Sequence, residues 1–248
     1  MVGGRWSGTR QYIEPMPGSW IKGIADATPA RCEVCRAWPA QPLCRACLGR
    51  FAQPRARCRR CALPVPPGAA ECGHCLREPP PLDACHAAVD YAYPWSGLVG
   101  HFKFEAQPGW AGIFAALVRE VPGVPQELAQ ARWIVPMPLS RERLAQRGFN
   151  QAHELARQLA PDRTAANLVA RLRDTAPQAA LTRAERLSNV RHAFAVEPRR
   201  ADAVRAASVV LVDDVMTSGA SLFALAQVLR AAGASRVSAL VVARTAET

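Results

Sequence analysis

Apolar positions are distributed in two different ways along the chain. Up to about residue 82 they are scattered among cysteines, arginines and prolines, whereas from 84 onward they gather into runs separated by stretches of helical period. HAAVDYAY (86–93), RWIVPMP (132–138), ASVVLVDD (207–214) and RVSALVVAR (236–244) read as strands, and AANLVARLR (165–173) and HAFAV (192–196) as weaker ones. The strongest runs are continuously apolar rather than alternating, which predicts strands buried on both faces of a mostly parallel sheet. Helical spacing covers 95–105 and 111–120, divided by the QPGW break. A third helix is expected over 149–160, with Phe149, Ala152, Leu155, Ala156 and Leu159 on one face. A fourth spans 218–232 and stops at Gly233, a natural C-terminal cap. Strands alternating with helices imply an α/β domain over 84–248. Residues 1–28 form an irregular segment with at most a short helix over 20–27, and the proline-rich REPPPLD (77–83) is the expected boundary between domains.

The segment 29–80 has too few aliphatic residues for a core of its own. It holds eight of the nine cysteines as four CxxC pairs: CEVC, CRAC, CRRC and CGHC. A CxxC turn brings two thiolates onto one metal, and two pairs complete a tetrahedral Zn²⁺ site with four sulfur ligands. Eight residues separate the first two pairs and ten the last two, a ribbon-type spacing. Sequential pairing puts Cys32, Cys35, Cys44 and Cys47 on one zinc and Cys58, Cys61, Cys72 and Cys75 on another. Cross-bracing, in which the first and third pairs share a metal, is the alternative. Closed four-thiolate sites leave no open coordination position, so both zinc ions are expected to be structural. Cys85 reads as a small buried side chain, and His74 as a knuckle residue rather than a ligand.

Charge changes this picture only a little. The formal net charge is +11, and all but two of the 31 basic residues are arginine, the side chain suited to bidentate phosphate contact. Nine arginines and three glutamates in 29–82 give +6, but each Zn(Cys)₄ centre carries −2, so about +2 is left there. Single-stranded DNA is therefore a candidate partner, with weaker attraction to the ribbon than the formal charge implies. The first twenty residues have no apolar core of the kind a secretory signal needs, and no run approaches the ~18 apolar residues of a membrane span. Patterned cysteines then fit a reducing cytoplasm and metal binding better than disulfides.

The chemistry concentrates in VVLVDDVMTSGAS (209–221), where an apolar strand runs into two carboxylates and a turn of small and hydroxylated residues. Parallel sheets bind ligands beyond the carboxyl ends of their strands. A turn of small residues opening a helix presents N–H groups to an anion. Asp213 and Asp214 beside it can accept hydrogen bonds from vicinal hydroxyls and help hold Mg²⁺. Phosphate, diol and metal together describe a phosphorylated ribose. The P-loop pattern GxxxxGK[ST] and the dinucleotide pattern GxGxxG are both missing. A plain helix cap on Thr217 or Ser218 would explain one hydroxyl but not the paired acids.

This stretch resembles the motif that type I phosphoribosyltransferases use for 5-phosphoribosyl 1-pyrophosphate (PRPP). VPMPLSRERLAQRGFNQAHELA (135–156) and DTAPQAALTRAERLSNVRHAF (174–194) resemble signatures of the ComF/GntX family, whose layout joins an N-terminal double zinc ribbon to such a domain. The resemblance implies a type I phosphoribosyltransferase-like fold and assigns roles. Asp213 and Asp214 would bind the ribose hydroxyls, and Thr217, Ser218, Gly219, Ala220 and Ser221 the 5′-phosphate. Pro138, Leu139 and Ser140 would form the pyrophosphate loop, with Arg143 and Arg147 as its cations, and Asp213, Asp214 and Arg147 as the catalytic set if chemistry occurs. Residues 175–188 would form a mobile loop, with Gln178, Arg183, Arg186 and Asn189 as contacts. Lys103 matches a lysine position of the family, although a solvated helix lysine explains it equally well.

The implied function is binding of PRPP with Mg²⁺ and a part in DNA uptake during natural transformation, with other DNA-uptake proteins as partners. One alternative is a true phosphoribosyltransferase acting on an unknown nitrogenous acceptor. Another is a zinc-ribbon nucleic-acid-binding protein with a relic transferase domain.

Overall fold

The computed structural model of the protein describes residues 30–105, 107–172 and 193–246. The helix expected over 20–27 lies outside them. Two short helices, α1 (Arg45–Phe51) and α2 (Gly73–Arg77), belong to the cysteine-rich segment. The chain continues through β1 (Ala84–Asp90), α3 (Trp95–Phe104), α4 (Trp110–Arg119), α5 (Val124–Gln130) and β2 (Trp133–Pro136). Next come α6 (Arg141–Arg147), α7 (Gln151–Leu159), β3 (Val169–Arg171) and β4 (Phe194–Val196). The last elements are α8 (Ala201–Val204), β5 (Ser208–Met216), α9 (Ala220–Ala231) and β6 (Arg236–Arg244).

Strands β1, β6, β5 and β2 form one wholly parallel sheet in that order, and β3 and β4 form a separate antiparallel pair. Successive side chains of a strand point to opposite faces. Val209 and Leu211 of β5, with Val237, Ala239 and Val241 of β6, accordingly join one core; Val210, Val212, Leu240 and Val242 join the other. Continuously apolar strands are needed because both faces are covered. Helices α3, α4 and α7 supply the second core through Trp95, Phe102, Phe114 and Leu155, while α9 lies on the first face through Leu222, Leu225 and Leu229.

The cysteine segment completes both layers. Cys32 and Cys47 pack into the core of the α3–α4–α7 face, and Cys58, Cys61 and Cys75 into the core beneath α9. The indole N–H of Trp95 donates to the carbonyl of Phe51 at 2.9 Å, tying α1 to α3. At the end of the connector, Asp83 accepts from the Val237 N–H at 2.8 Å and pairs with Arg230.

Several boundaries differ from the sequence pattern for local reasons. Strand β1 ends at Asp90 instead of 93. Helix α7 begins at Gln151 rather than 149, because Asn150 is its N-cap and accepts from the His153 N–H at 3.2 Å. Helix α9 begins at Ala220 rather than 218, because Gly219 takes a left-handed conformation at φ +80°. Strand β5 runs two residues past the aspartates, to Met216. Helices α5 and α6 were not anticipated: α5 has a proline in its first turn, and α6 buries none of its residues.

Candidate functional site

Adjacent parallel strands bring the carboxyl ends of β2 and β5 side by side. Pro136 lies opposite Val212, and the Met137 N–H donates to the Val212 carbonyl at 2.9 Å. The loop of Pro138, Leu139 and Ser140 therefore leaves the sheet next to Asp213. The buried Ser140 caps α6 by accepting from the Arg143 N–H at 3.2 Å, and the Asn150 amide donates to the Met137 carbonyl at 3.0 Å. Both ends of the segment carrying Arg143 and Arg147 are thus fixed to the sheet edge.

After β5 the chain makes a tight turn over 216–221. A concavity of about 50 Å³ is lined by Asp213 and by residues 215–222. Gly219 permits it: a Cβ there would lie 2.5 Å from Met216 Cε and 2.7 Å from Phe223 Cζ, on a backbone that L residues rarely adopt. Gly219 is also the cap residue of α9, so no side chain serves as N-cap, and the Ser218 hydroxyl accepts from the Ala220 N–H at 3.4 Å. A helix of twelve residues then points its positive end at the concavity.

The two aspartates are not equivalent. Asp214 is buried and pairs with Lys103 of α3 at 2.8 Å. Asp213 accepts from the Asp214 N–H at 2.9 Å. Burial, followed by the negative charge of Asp214, pushes the Asp213 carboxyl up to about 7, against the downward pull of Lys103 and Arg147. Lys103 also connects the strand to α6 and α7. Its carbonyl accepts from the buried Gln151 amide at 3.3 Å, and Gln151 accepts from Arg147 at 3.0 Å. The Arg147 guanidinium lies 5.2 Å above the centroid of the Phe104 ring. Asp213, Asp214, Arg143, Arg147 and the 217–221 turn are thus gathered at one end of the sheet. Gln178, Arg183, Arg186 and Asn189 lie outside the described residues. Sequence reasoning missed Gln151 and left Lys103 undecided; the Gln151–Lys103 and Lys103–Asp214 contacts that matter join positions distant in the chain and leave no local signal.

The cysteines form two separate groups, Cys32–Cys35–Cys44–Cys47 and Cys58–Cys61–Cys72–Cys75, with all four sulfurs of each within 4.8 Å of one another. Pairing is sequential, not cross-braced. Sulfur–sulfur distances of 3.9 Å (Cys32–Cys47), 3.6 Å (Cys35–Cys44) and 3.6 Å (Cys61–Cys72) are far too long for a disulfide. They match the edge of about 3.8 Å expected of a sulfur tetrahedron around an ion at ~2.3 Å. Backbone N–H groups converge on single sulfurs, as at Cys44 N–H to Cys32 (3.4 Å) and Cys75 N–H to Cys72 (3.5 Å). Burial pushes the Cys32 thiol up, yet N–H groups of Cys35, Cys44 and Val34 bring it down to about 6, while burial and the neighbouring sulfurs push Cys44 and Cys47 up, so one charge settles on Cys32. The donor set fits a four-sulfur metal site in both places. His74 is in neither group, and Cys85 is buried, its thiol donating to the Met216 sulfur at 3.6 Å.

Comparison with known proteins decides the family. A phosphoribosyl transferase domain matches residues 144–248. The DNA utilization protein YhgH of Salmonella typhimurium is 32% identical over 232 residues, covering 88% of this chain and 98% of that protein. Competence protein F of Haemophilus influenzae is 31% identical over 191 residues, 73% of this chain and 81% of that one. The chain belongs to the ComF family. Competence protein ComFC of Bacillus subtilis, 34% identical over 113 residues, covers 45% of this chain and 44% of its own. In this ComF-family chain, no helix among the described residues is long and apolar enough to cross a membrane.

Proposed function

We propose that the carboxyl ends of β2 and β5 bind a phosphoribosyl compound, PRPP together with Mg²⁺, and that the cysteine groups hold two structural zinc ions. The observation that carries this reading is the junction of a glycine-dependent turn at a helix N-terminus with a carboxylate pair and Arg147 at one end of the sheet, the turn and Asp213 lining a small concavity. In this reading residues 217–221 donate to the 5′-phosphate. Asp213 and Asp214 accept from the ribose hydroxyls, and Pro138, Leu139, Ser140, Arg143 and Arg147 face the pyrophosphate. Mg²⁺ bound beside the acids would neutralise pyrophosphate charge. If a nitrogenous acceptor is used, these same groups stabilise an oxocarbenium-like sugar and the departing pyrophosphate. The names of the relatives, DNA utilization protein and competence protein, support a part in handling incoming DNA; we place it in the cytoplasm, with arginines contacting DNA phosphates.

Calorimetric titration of the parent and Arg147→Ala with PRPP plus Mg²⁺, and with ribose 5-phosphate, tests the site. Both ligands should bind the parent, and the variant should lose affinity for PRPP while keeping it for ribose 5-phosphate, which lacks the pyrophosphate. Absence of binding to the folded parent overturns the reading. Pyrophosphate release in the presence of candidate bases would identify a transferase. Metal analysis should give close to two zinc ions per chain, and single-stranded DNA binding should weaken steeply with salt.

A further inference from the structure

The last residue of β6, Arg244, is 3% exposed, and its guanidinium donates to four backbone carbonyls inside the protein. Its Nε donates to the carbonyl of Cys61 at 2.9 Å. The two hydrogens of its Nη1 are shared among the carbonyls of Met216 at 3.2 Å, Thr217, and Thr245 at 2.7 Å. One side chain therefore bridges a residue of the second cysteine group, the last residue of β5 and the first residue of the turn that follows. A trans peptide is planar, so its carbonyl and the following N–H point in opposite directions. Drawing the Met216 and Thr217 carbonyls toward Arg244 turns the N–H groups of Thr217 and Ser218 the other way. The Met216 carbonyl also accepts from the Thr245 N–H at 3.1 Å, so Arg244 shares that peptide with the β5–β6 pairing; at the Thr217 peptide it is Arg244 that directs the Ser218 N–H into the turn, without being one of the turn's ligand contacts.

The anchor of Arg244 is itself held by metal-site geometry. Cys61 lies in the knuckle where the Ala62 N–H donates to the Cys58 carbonyl at 2.8 Å and the Cys58 N–H to the Leu63 carbonyl at 2.7 Å. Its sulfur is 3.6 Å from that of Cys72. On the same side, the Cys85 thiol reaches the Met216 sulfur, and the Cys85 N–H donates to the Arg59 carbonyl at 2.7 Å. The second cysteine group, Arg244 and the turn thus form one contiguous packed unit. The first group lies in the core of the opposite face and makes no such connection among the described residues.

We infer that Arg244 is a positioning residue through which metal binding at Cys58, Cys61, Cys72 and Cys75 shapes the phosphate-binding turn, so that the two sites are thermodynamically linked. This inference rests on the reading of residues 216–221 as a phosphate cradle. Linkage is reciprocal: if the metal improves phosphate binding, phosphate binding must improve metal retention by the same factor.

The test uses the full zinc-loaded chain with ribose 5-phosphate as probe. Zinc is challenged with a chelator, and each thiol is followed by alkylation and peptide mass spectrometry, which distinguishes the two groups. Saturating ribose 5-phosphate should increase zinc retention at Cys58, Cys61, Cys72 and Cys75 by about fivefold or more, within the usual range of coupling. Retention at the first group should not change. In Arg244→Lys, which keeps the charge but loses the planar fork, the ligand-dependent protection should disappear. If the parent binds ribose 5-phosphate but the second group holds the same fraction of zinc at equilibrium with the chelator with and without it, the inference is overturned and the phosphate reading stands. If the parent does not bind ribose 5-phosphate, both fall. Because the decisive measurement is made on the parent, poor folding of Arg244→Lys would not remove it.

Discussion

The two ends of the parallel sheet handle buried charge in opposite ways. Toward the amino ends of β1 and β6, the buried Glu127 of α5 accepts from Arg236 at 2.5 Å and from the Ser238 hydroxyl at 2.8 Å, with His86 at 3.9 Å. Burial would raise its carboxyl, but His86, Arg236 and Ser238 hold it down at about 2. At the carboxyl ends, Lys103 sits against Asp214, and burial with the neighbouring acid pushes Asp213 up to about 7. One end satisfies its acid within the fold, while the other keeps an acid that gains from an incoming donor or cation. A carboxylate left without a full set of partners is what a binding site requires, and a fully paired one is what a scaffold requires.

The largest way to break this contrast is at Gly219. Gly219→Val places a branched Cβ against Met216 and Phe223 on left-handed backbone, a conformation that costs an L residue ~1–2 kcal/mol. Distortion of the turn should lower affinity for PRPP and ribose 5-phosphate alike by about a hundredfold, since several N–H donors move together, each worth ~1.5–3 kcal/mol to a charged group. Calorimetry on a variant shown to be folded by circular dichroism checks this. Unchanged affinity for both ligands would move the phosphate elsewhere.

At the opposite end, Glu127→Ala should do the reverse. It strands Arg236 and Ser238, but Arg236 is about one-third exposed and can turn to water. The cost is expected near the low end of breaking a buried pair, ~2–3 kcal/mol. Denaturant unfolding should show that loss while PRPP affinity of the folded protein stays within a factor of two. A large affinity loss without destabilisation would erase the division between the two ends.

The same division explains which features were legible in the sequence. Buried strands announce themselves as unbroken apolar runs, so β5 and β6 stand out from composition alone. The cysteine groups are legible because ligand spacing is a local property, and the turn because its acids, hydroxyls and glycine are contiguous. Strand order is not local, and nothing in RWIVPMP says that β2 lies beside β5. Lys103 meets Asp214 across 111 positions of chain, with no spacing to reveal it. Helix α6 escaped periodicity because it has no buried face; even its Leu144 is exposed. Arg244 was hidden for another reason. It closes an apolar strand in the sequence as an apparently solvated arginine, and only the fold turns it inward.

Asp214→Asn sharpens the comparison within the site. The amide keeps its size and can still accept from Lys103, but the half-buried ammonium loses its counter-charge and the ribose loses a charged acceptor. A charge-assisted hydrogen bond contributes ~1.5–3 kcal/mol, so PRPP affinity should fall roughly tenfold or more. The partner substitution Lys103→Met should lower it as well, by leaving Asp214 and Asp213 to repel each other. If Asp214→Asn binds PRPP like the parent, the carboxylate serves only Lys103.

The smallest expected effect is a pH dependence, and its sign separates the two ends. The Asp213 carboxyl lies above its ordinary value of 3.8, at about 7. Between those values the folded protein holds a proton that the unfolded chain releases, so this group makes stability fall as pH rises through the window. Glu127 lies below its ordinary 4.5, at about 2; its contribution is present above that ordinary value and is lost as pH falls toward 2. Ligand binding depends on Asp213 in the other direction. If the ionised carboxylate is the form that accepts from the ribose or faces Mg²⁺, affinity for PRPP with Mg²⁺ should rise by about tenfold from pH 6 to pH 8 and then level off, because a group titrating near 7 changes its ionised fraction by that factor. Part of the raw change will come from ionisation of the ligand's own phosphates. The same titration with Asp213→Asn contains that part alone, so the difference between the two profiles isolates the carboxylate. Parallel profiles for parent and variant would show that Asp213 is already ionised in the free protein, or that it does not contact the ligand.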